Sequence, residues 1–245
     1  MELGKLIKSR LYVPTLVSLF IFVIVAMVVM YYKRSTDTDL FTLIYSIFAF
    51  NSDIFFPVVA IAFFSSVVTK EYQNKTIKLL VGSPIPRSNI ILGKFFSATL
   101  SFLLLFFTVI LTSFAVALLL SPEQVTYINF KDIGVANIFL RTVIAMISTA
   151  VFLVSFGGFG YLLALWTKNQ AVTMLISIGV LLFYVIVPIP EWFKEYSFIG
   201  KGSMFYTAVT LLEIPYLDII KVILICLLYL LVFLISSVMY FQRLQ

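Results

Sequence analysis

Long apolar runs separated by short charged segments follow one another along the whole chain. The stretches without Asp, Glu, Lys or Arg are residues 11–32, 40–52 with 54–69, 95–122, 142–167, 169–190 and 222–242. A helix needs about 20 apolar residues to cross the roughly 30 Å hydrocarbon core of a bilayer. The apolar residues are contiguous within each run and do not alternate, which disfavours a transmembrane β-barrel. The pattern therefore predicts an all-α polytopic membrane protein with six spanning helices.

Two connections between these spans are longer than the others. We place the spans at about residues 12–32, 48–69, 95–120, 142–166, 169–189 and 221–241 of a single membrane domain that covers residues 1–245. The longer connections are a basic loop at 70–94 and a loop at 190–220. The segment 198–212 of the second loop is apolar, but it is too short to cross and contains Lys201. We expect an interfacial or re-entrant segment there, shielded by protein.

The distribution of positive charge predicts the orientation of the spans. The termini and the loops 70–94 and 167–169 fall on one side, and they carry ten basic and two acidic residues: Lys5, Lys8, Arg10, Lys70, Lys75, Lys78, Arg87, Lys94, Lys168 and Arg243 against Glu2 and Glu71. The chain has 17 basic and 11 acidic residues in all. The opposite side therefore carries seven basic and eight acidic residues, and the remaining acid, Asp53, lies inside a span. Cytoplasmic loops are the positive ones. Both termini are therefore expected in the cytoplasm, and the net charge of +6 reflects topology without a nucleic-acid-binding pattern.

Composition excludes several kinds of catalytic site. The chain has no histidine and one cysteine, Cys226, which rules out a His-based zinc site, a Ser-His-Asp triad and an intramolecular disulfide. No phosphate loop of the GxxxxGK[ST] type is present. Only Asp53 among the carboxylates falls within a predicted span. We therefore expect no catalytic residues, no metal and no cofactor bound by this chain.

The loop between the second and third spans, KEYQNKTIKLLVGSPIPRSNIILGK, is compact and basic. Residues 71–81 have a helical pattern, with one face formed by Tyr72, Thr76, Leu79 and Leu80. Gly82 and Pro84 suit the end of that helix, and a new helix is expected to begin at Arg87. The loop is therefore predicted to be a helix, a sharp turn and a second helix, although a plain positive-inside loop is the simpler alternative.

Residues of this loop resemble a family signature. Glu71, Thr76, Leu79-Leu80, Pro84, Arg87 and Gly93-Lys94 are similar to the segment between the second and third spans of ABC transporter permeases of the type-2 exporter class. Two positions depart from that pattern: Lys75 stands where the family usually has glycine, and Pro86 stands where a small hydroxyl residue is common. The span number, order and orientation agree with the family at low resolution.

The resemblance implies a half-transporter in the bacterial cytoplasmic membrane, surrounded by membrane lipid. Two permease subunits, either two copies or a related pair, would each rest on a cytoplasmic ABC ATPase subunit that binds ATP and Mg. The loop would be the coupling helix that docks on this ATPase. The implied coupling residues are Glu71, Tyr72, Lys75, Thr76, Lys78, Leu79, Leu80, Pro84 and Arg87. Their basic groups would pair with acids on the ATPase, and the leucines would supply apolar anchors.

The resemblance also implies a translocation path at the dimer interface, chiefly along spans one, two and five. Candidates to line it are Phe20, Asp53, Phe56, Phe63, Phe64, Phe183 and Tyr184. Asp53 has two interpretations, because an acid within a span is costly and often functional, whereas Asn51-Ser52-Asp53 also suits the cap of a helix running to Thr69. The patch Ser155–Gly160 in the fourth span indicates close helix packing or a hinge.

The expected function is ATP-driven export of hydrophobic or amphipathic peptides, antibiotics or lipids. A mostly apolar, aromatic interior suits such cargo better than a sugar or a metal ion, and the resemblance points to peptide export and antibiotic immunity. An ion-coupled secondary transporter or channel that uses Asp53 is the main alternative. A membrane anchor or sensor for an ATPase is another, since its cytoplasmic loop would look the same.

Overall fold

The part of the chain that the computed structural model describes is helical. It comprises residues 51–74, 86–120, 135–202, 204–206 and 215–243, with isolated helical positions between 13 and 48. These residues contain no β-strand. The helices are α1 (Phe55–Gln73), α2 (Arg87–Leu120), α3 (Val135–Thr167), α4 (Gln170–Ile186), α5 (Glu191–Tyr196) and α6 (Tyr216–Gln242). The predicted all-α class is confirmed for this part of the chain.

Four of these helices are long and apolar enough to cross a membrane. They are α1, α6, the segment Arg87–Val116 of α2 and the segment Leu140–Thr167 of α3. Helix α4 has 17 residues, which at 1.5 Å per residue is about 26 Å and slightly short of a roughly 30 Å core. Four of the six predicted spans therefore correspond to spanning helices, while most of the first predicted span, 12–32, lies outside the described residues.

Helices α2 and α3 start earlier than the predicted spans. They begin at Arg87 and Val135 and contain 34 and 33 residues, whereas the apolar runs begin at residues 95 and 142. Such helices are about 50 Å long, so they extend well beyond a hydrocarbon core of roughly 30 Å. The difference arises because the apolar runs are bounded by charged residues, and Lys94 and Arg141 lie within the first turns of these helices.

The helix that precedes α1 ends within the predicted second span. Asn51 and Ser52 are helical and buried, a turn follows at 53–54, and Ile54 is the N-cap residue of α1. Pro57 lies four residues after Asp53 and has no N–H to donate to the Asp53 carbonyl, so a continuous helix is disfavoured at this point. The predicted span 48–69 is therefore not one unbroken helix, and Asp53 is not the N-cap residue of α1.

Helix α3 lies at the centre of the bundle and packs closely against α1 and α6. A Cβ atom added to Gly157 would lie 2.4 Å from Phe64 Cδ2 of α1, and one added to Gly160 would lie 3.1 Å from Ile61 Cα. On the α6 side, the Ser155 hydroxyl donates to the Cys226 carbonyl at 2.9 Å. Small residues allow helix backbones to approach closely. The predicted packing role of the patch Ser155–Gly160 is confirmed.

Aromatic rings fill the space between α1, α2 and α3. The ring centroid of Phe64 lies 5.4 Å from that of Phe95 and 5.6 Å from that of Phe102. The Phe95 ring meets Tyr161 of α3 edge-on at 5.5 Å. These tilted and edge-to-face arrangements are the favoured ones for aromatic pairs. The three helices therefore share one rigid aromatic core.

The segment that follows α5 folds back onto the bundle. Phe198 is buried, and its ring lies 4.8 Å from Phe156 of α3 and 4.8 Å from Tyr229 of α6. Phe205 and Tyr206 are also buried. The described residues of the predicted re-entrant segment 198–212 are thus covered by protein, as their apolar character requires.

Candidate functional site

Four helix ends and one short turn meet at the predicted cytoplasmic side. They are the C-terminal ends of α1, α3 and α6, the N-terminal end of α2, and the connection Lys168-Asn169 to α4. The Pro86 carbonyl accepts hydrogen bonds from the backbone N–H groups of Asn89 and Ile90, at 2.9 and 3.3 Å. The predicted helix start at Arg87 is confirmed. Most of the predicted coupling helix lies outside the described residues, including Lys75, Thr76, Lys78, Leu79, Leu80 and Pro84.

An ion pair closes the base of this loop. Lys94 Nζ lies 2.6 Å from Glu71 Oε1 and donates a hydrogen bond to it. The two side chains are only 10% and 25% exposed, respectively. Removing one partner from a charged hydrogen bond costs about 1.5–3 kcal/mol, because the other charge stays in a poorly solvated place. The pair therefore fixes the end of α1 to the second turn of α2.

Arg87 links the start of α2 to the end of α6. Its Nη1 atom donates to the Gln242 carbonyl oxygen at 3.0 Å. The last carbonyl groups of a helix carry a partial negative charge and have no partner within the helix. A guanidinium is therefore favourable here. The predicted ATPase-docking residue Arg87 thus has an intramolecular role, and contact with an ATPase remains a prediction.

Helix α3 and the turn after it contact the same region. The buried Tyr161 hydroxyl donates to the Ile91 carbonyl of α2 at 3.1 Å. Lys168 adopts a positive φ of 55° in the two-residue connection to α4, and its Nζ lies 5.7 Å from the centroid of the Tyr72 ring. A cation over an aromatic face is attractive at this distance. Glu71, Tyr72 and Arg87 are therefore all contacted by residues outside their own helices.

The anchors described at this end join segments that are far apart along the chain. Each anchor is a polar or cation–π contact between different segments of the chain, and α3 packs closely against α1 and α6. These contacts connect the described ends of α1, α2, α3 and α6 to one another.

The residues predicted to line a path fall into three environments. Asp53 and Tyr184 line one open cleft of about 200 Å³ at the opposite end of the bundle. Phe183 is 61% exposed on the surface of α4, and Phe20 is half-buried. Phe56, Phe63 and Phe64 are buried in the aromatic core. In this conformation those three face the interior of the subunit, and a path-lining role for them stays a prediction.

Charged residues near this second end form a weak network. Glu195 of α5 accepts a hydrogen bond from Lys221 of α6, and this partner lowers the pKa of Glu195 below its usual range. Burial lowers the pKa of Lys201, because a desolvated ammonium is disfavoured. The Glu195–Lys221 pair is solvent-exposed on both sides, so it holds α5 to α6 only weakly.

Four contacts at the cytoplasmic end could not be identified from the sequence, among them the hydrogen bond from the Tyr161 hydroxyl to the Ile91 carbonyl. A local basic partner is expected for Glu71 at the end of its span, but the sequence does not identify it as Lys94, since several lysines lie equally near along the chain. The contact of Lys168 with Tyr72 and that of Arg87 with Gln242 join residues far apart in sequence. The only signal in the sequence for these contacts is that all the residues fall at predicted cytoplasmic span ends.

Comparison with known families gives one match. A family model described as ABC-2 family transporter protein matches residues 1–188 of the 245. The matched region includes the loop 70–94, the ion pair Glu71–Lys94 and the glycine patch of α3. No curated protein matches the chain.

Proposed function

Because the chain belongs to the ABC-2 transporter family, we propose that it is the six-span permease subunit of an ATP-driven exporter in a bacterial cytoplasmic membrane. Family membership makes it a transport component that associates with an ABC ATPase subunit. In the proposed assembly both termini are cytoplasmic, two permease subunits pair, and the segment 75–85 docks on an ATPase that binds ATP and Mg. The permease itself catalyses no reaction.

The ion pair Glu71–Lys94 is the observation that carries this proposal. A loop that only connected two spans would need no fixed geometry at its base. Here the base is closed by a partly buried ion pair, and Arg87 is bonded to the end of α6. These contacts suit a lever, because force applied to the loop reaches α1, α2 and α6 together.

The proposed cargo is a hydrophobic or amphipathic peptide, antibiotic or lipid. The candidate spanning helices are strongly apolar, and large apolar side chains remain exposed on α4 and α6. An ion-coupled transporter that uses Asp53 is less well supported, because Asp53 lies in the turn before α1 and not within a spanning helix. Ion-coupling carboxylates are expected near the bilayer midplane.

Site-directed cross-linking tests the docking of the loop. The single cysteine, Cys226, is buried, so Cys226→Ala gives a background without thiols. Lys78→Cys in that background should cross-link, through a short bifunctional maleimide, to an ATPase that co-purifies with the tagged chain in mild detergent. Asp218→Cys, at the opposite end of the bundle, is the matched control and should give no ATPase adduct. The assigned docking would be refuted if, in an intact complex, Lys78→Cys formed no ATPase adduct, or if Asp218→Cys formed one as readily as Lys78→Cys.

ATP hydrolysis tests whether the ion pair takes part in coupling. In proteoliposomes containing the intact complex, Glu71→Gln should reduce the part of the hydrolysis rate that depends on the permease. Glu195→Gln removes a solvent-exposed carboxylate from the other end and should leave this rate unchanged. Full permease-dependent hydrolysis in Glu71→Gln, with the ATPase still bound, would show that the pair is not part of the lever.

A further inference from the structure

A cleft at the predicted external end of the bundle is not explained by coupling to an ATPase. Its volume is about 200 Å³, and it lies between the turn before α1, the last turns of α4, and α5 with the segment after it. The residues that line it are Asp53, Leu181, Tyr184, Lys194, Ile199 and Gly200. It therefore combines an acid, a base, a phenol and an apolar wall.

The walls of this cleft are held in place by close packing. Leu181 and Tyr184 are three residues apart on α4 and so share one face of the helix. Gly200 has a φ of +69°, and a Cβ atom there would lie 2.2 Å from Cε1 of Tyr184. A Cβ atom at Gly202 would lie 2.5 Å from the Ser52 carbonyl oxygen. Only glycine allows the backbone to lie this close to Tyr184 and to Ser52. The segment 200–202 therefore packs against α4 and against the residues next to the turn that contains Asp53.

The charged groups of the cleft select the class of ligand. A carboxylate beside an aromatic ring, here Asp53 and Tyr184, suits an organic ammonium group. Lys194 supplies a compact positive charge that suits a phosphate or a carboxylate. Leu181 and Ile199 complete an apolar wall. A ligand that carries both charges, joined to an apolar body, matches all of these features at once.

The size and position of the cleft narrow this class. Sites that enclose a whole drug-sized ligand measure about 300–1,000 Å³, so about 200 Å³ fits a terminal group and not a complete molecule. Trp192 and Tyr196 of α5 are exposed close by in sequence, and amphipathic aromatic residues favour the headgroup layer of a membrane. The bound group is thus expected at the membrane surface, with its apolar body in the lipid.

We propose that this cleft binds the zwitterionic ammonium–phosphate headgroup of an aminophospholipid, with the ammonium at Asp53 and Tyr184 and the phosphate at Lys194. The proposal does not rest on ATP-driven export, because it concerns binding at a different end of the bundle. A soluble phosphoethanolamine ester has the same chemistry and is distinguished from the lipid by experiment.

Lipid retention provides the first test. The full chain is placed in nanodiscs of equal parts phosphatidylethanolamine and phosphatidylglycerol, released into mild detergent, and analysed by native mass spectrometry. Phosphatidylethanolamine should be retained preferentially, and Asp53→Asn should reduce that preference about tenfold. Lys194→Gln should instead reduce the retention of both lipids, because both carry the phosphate. Asp218→Asn removes an acid outside the cleft and should leave the preference for phosphatidylethanolamine unchanged. Equal retention of the two lipids, or equal loss in Asp53→Asn and Asp218→Asn, would overturn the proposal.

A soluble probe identifies the source of the headgroup. Glycerophosphoethanolamine, added to protein in phosphatidylglycerol nanodiscs, should raise the Tm by about 3 °C at a tenfold excess over its Kd. Glycerophosphoglycerol, which lacks the ammonium, should have no effect. Stabilisation by the soluble ester without lipid retention would assign the site to a soluble solute and refute the lipid. Lys194 is exposed, so Lys194→Gln should fold normally and remains informative if Asp53→Asn is unstable.

Discussion

Gly157 is the position where the structure allows the sharpest prediction of stability. In an open helical site, Gly→Ala stabilises by about 0.5–1 kcal/mol, because alanine loses less backbone entropy on folding. At Gly157 the new methyl group would lie 2.4 Å from Phe64 Cδ2. The Phe64 ring is fully buried between Phe95 and Phe102, so it has no free space to enter.

The overpacking at Gly157 should outweigh the gain in helix propensity. Inserting a methylene group into a packed core costs about 1–3 kcal/mol, and the absence of space around Phe64 places this site at the upper end. The net loss for Gly157→Ala is then about 2 kcal/mol. For a chain of this size that corresponds to a decrease in Tm of about 4–8 °C.

The assay is thermal unfolding of the purified chain in mild detergent, followed by size-exclusion chromatography of a fluorescent fusion. Gly93→Ala and Gly179→Ala are matched controls, since both glycines are helical and a Cβ atom there would have no neighbour within 4 Å. Each control should raise the Tm by a few degrees. Combining Gly157→Ala with Phe64→Leu should give a coupling energy of at least about 0.5 kcal/mol, as expected for residues in contact.

Two outcomes would refute this reasoning. If Gly157→Ala raised the Tm as much as Gly93→Ala does, the close contact between α3 and α1 would be absent in solution. If all three alanine variants lowered the Tm alike, the loss at Gly157 could not be assigned to its contact with Phe64.

Two further predictions concern charged groups. Glu71→Gln or Lys94→Gln alone should lower stability by about 1.5–3 kcal/mol, measured as a lower Tm, whereas the swap Glu71→Lys with Lys94→Glu should recover part of the loss. Two additive single effects would argue against a direct pair. Because burial holds the folded-state pKa of Lys201 below its unfolded value, protonation opposes folding at neutral pH, and this penalty disappears as the pH rises through the unfolded pKa of about 10.4. Lys201→Met should therefore raise the Tm at pH 7, and the difference in Tm between the variant and the original chain should shrink towards pH 10. A Tm difference that does not depend on pH would contradict the role of Lys201 protonation.

The spanning helices could be predicted because their signal is local. Contiguous apolar runs predicted the presence and order of α1, α2, α3 and α6, although not where α1, α2 and α3 begin, and Pro86 followed by Arg87 indicated the start of α2. The small residues at 155–160 predicted close packing correctly, because a glycine patch within an apolar helix has few other uses. Each of these features depends on residues that lie within one or two turns of each other.

The remaining features could not be predicted because they depend on contacts between distant residues. Arg87 and Gln242 are 155 positions apart, and a single sequence gives no sign that they meet. The turn at 53–54 was hidden because the polar residues before it also suit a helix cap, although Pro57 was a usable local signal. The cleft around Asp53 depends on Gly200, whose role appears only when the ring of Tyr184 lies against it.

Helix α1 connects the cytoplasmic contacts at Glu71 with the cleft at Asp53. Helix α1 has 19 residues, about 28 Å at 1.5 Å per residue, and it begins beside Asp53 and ends beside Glu71. It cannot slide freely past α3, because the contacts of Gly157 and Gly160 leave no space between the two helices. A pull on Glu71 is therefore expected to tilt α1 and α3 together, and the turn before α1 is where the resulting displacement can be absorbed. Since that turn presents Asp53 to the cleft, we expect a movement of the cytoplasmic loop to alter the distance between Asp53 and Tyr184. Spin labels at Lys194 and at Asn74, in the background lacking Cys226, would measure whether the end of α1 moves relative to the cleft; identical distances with and without ATP in the intact complex would contradict the expected movement.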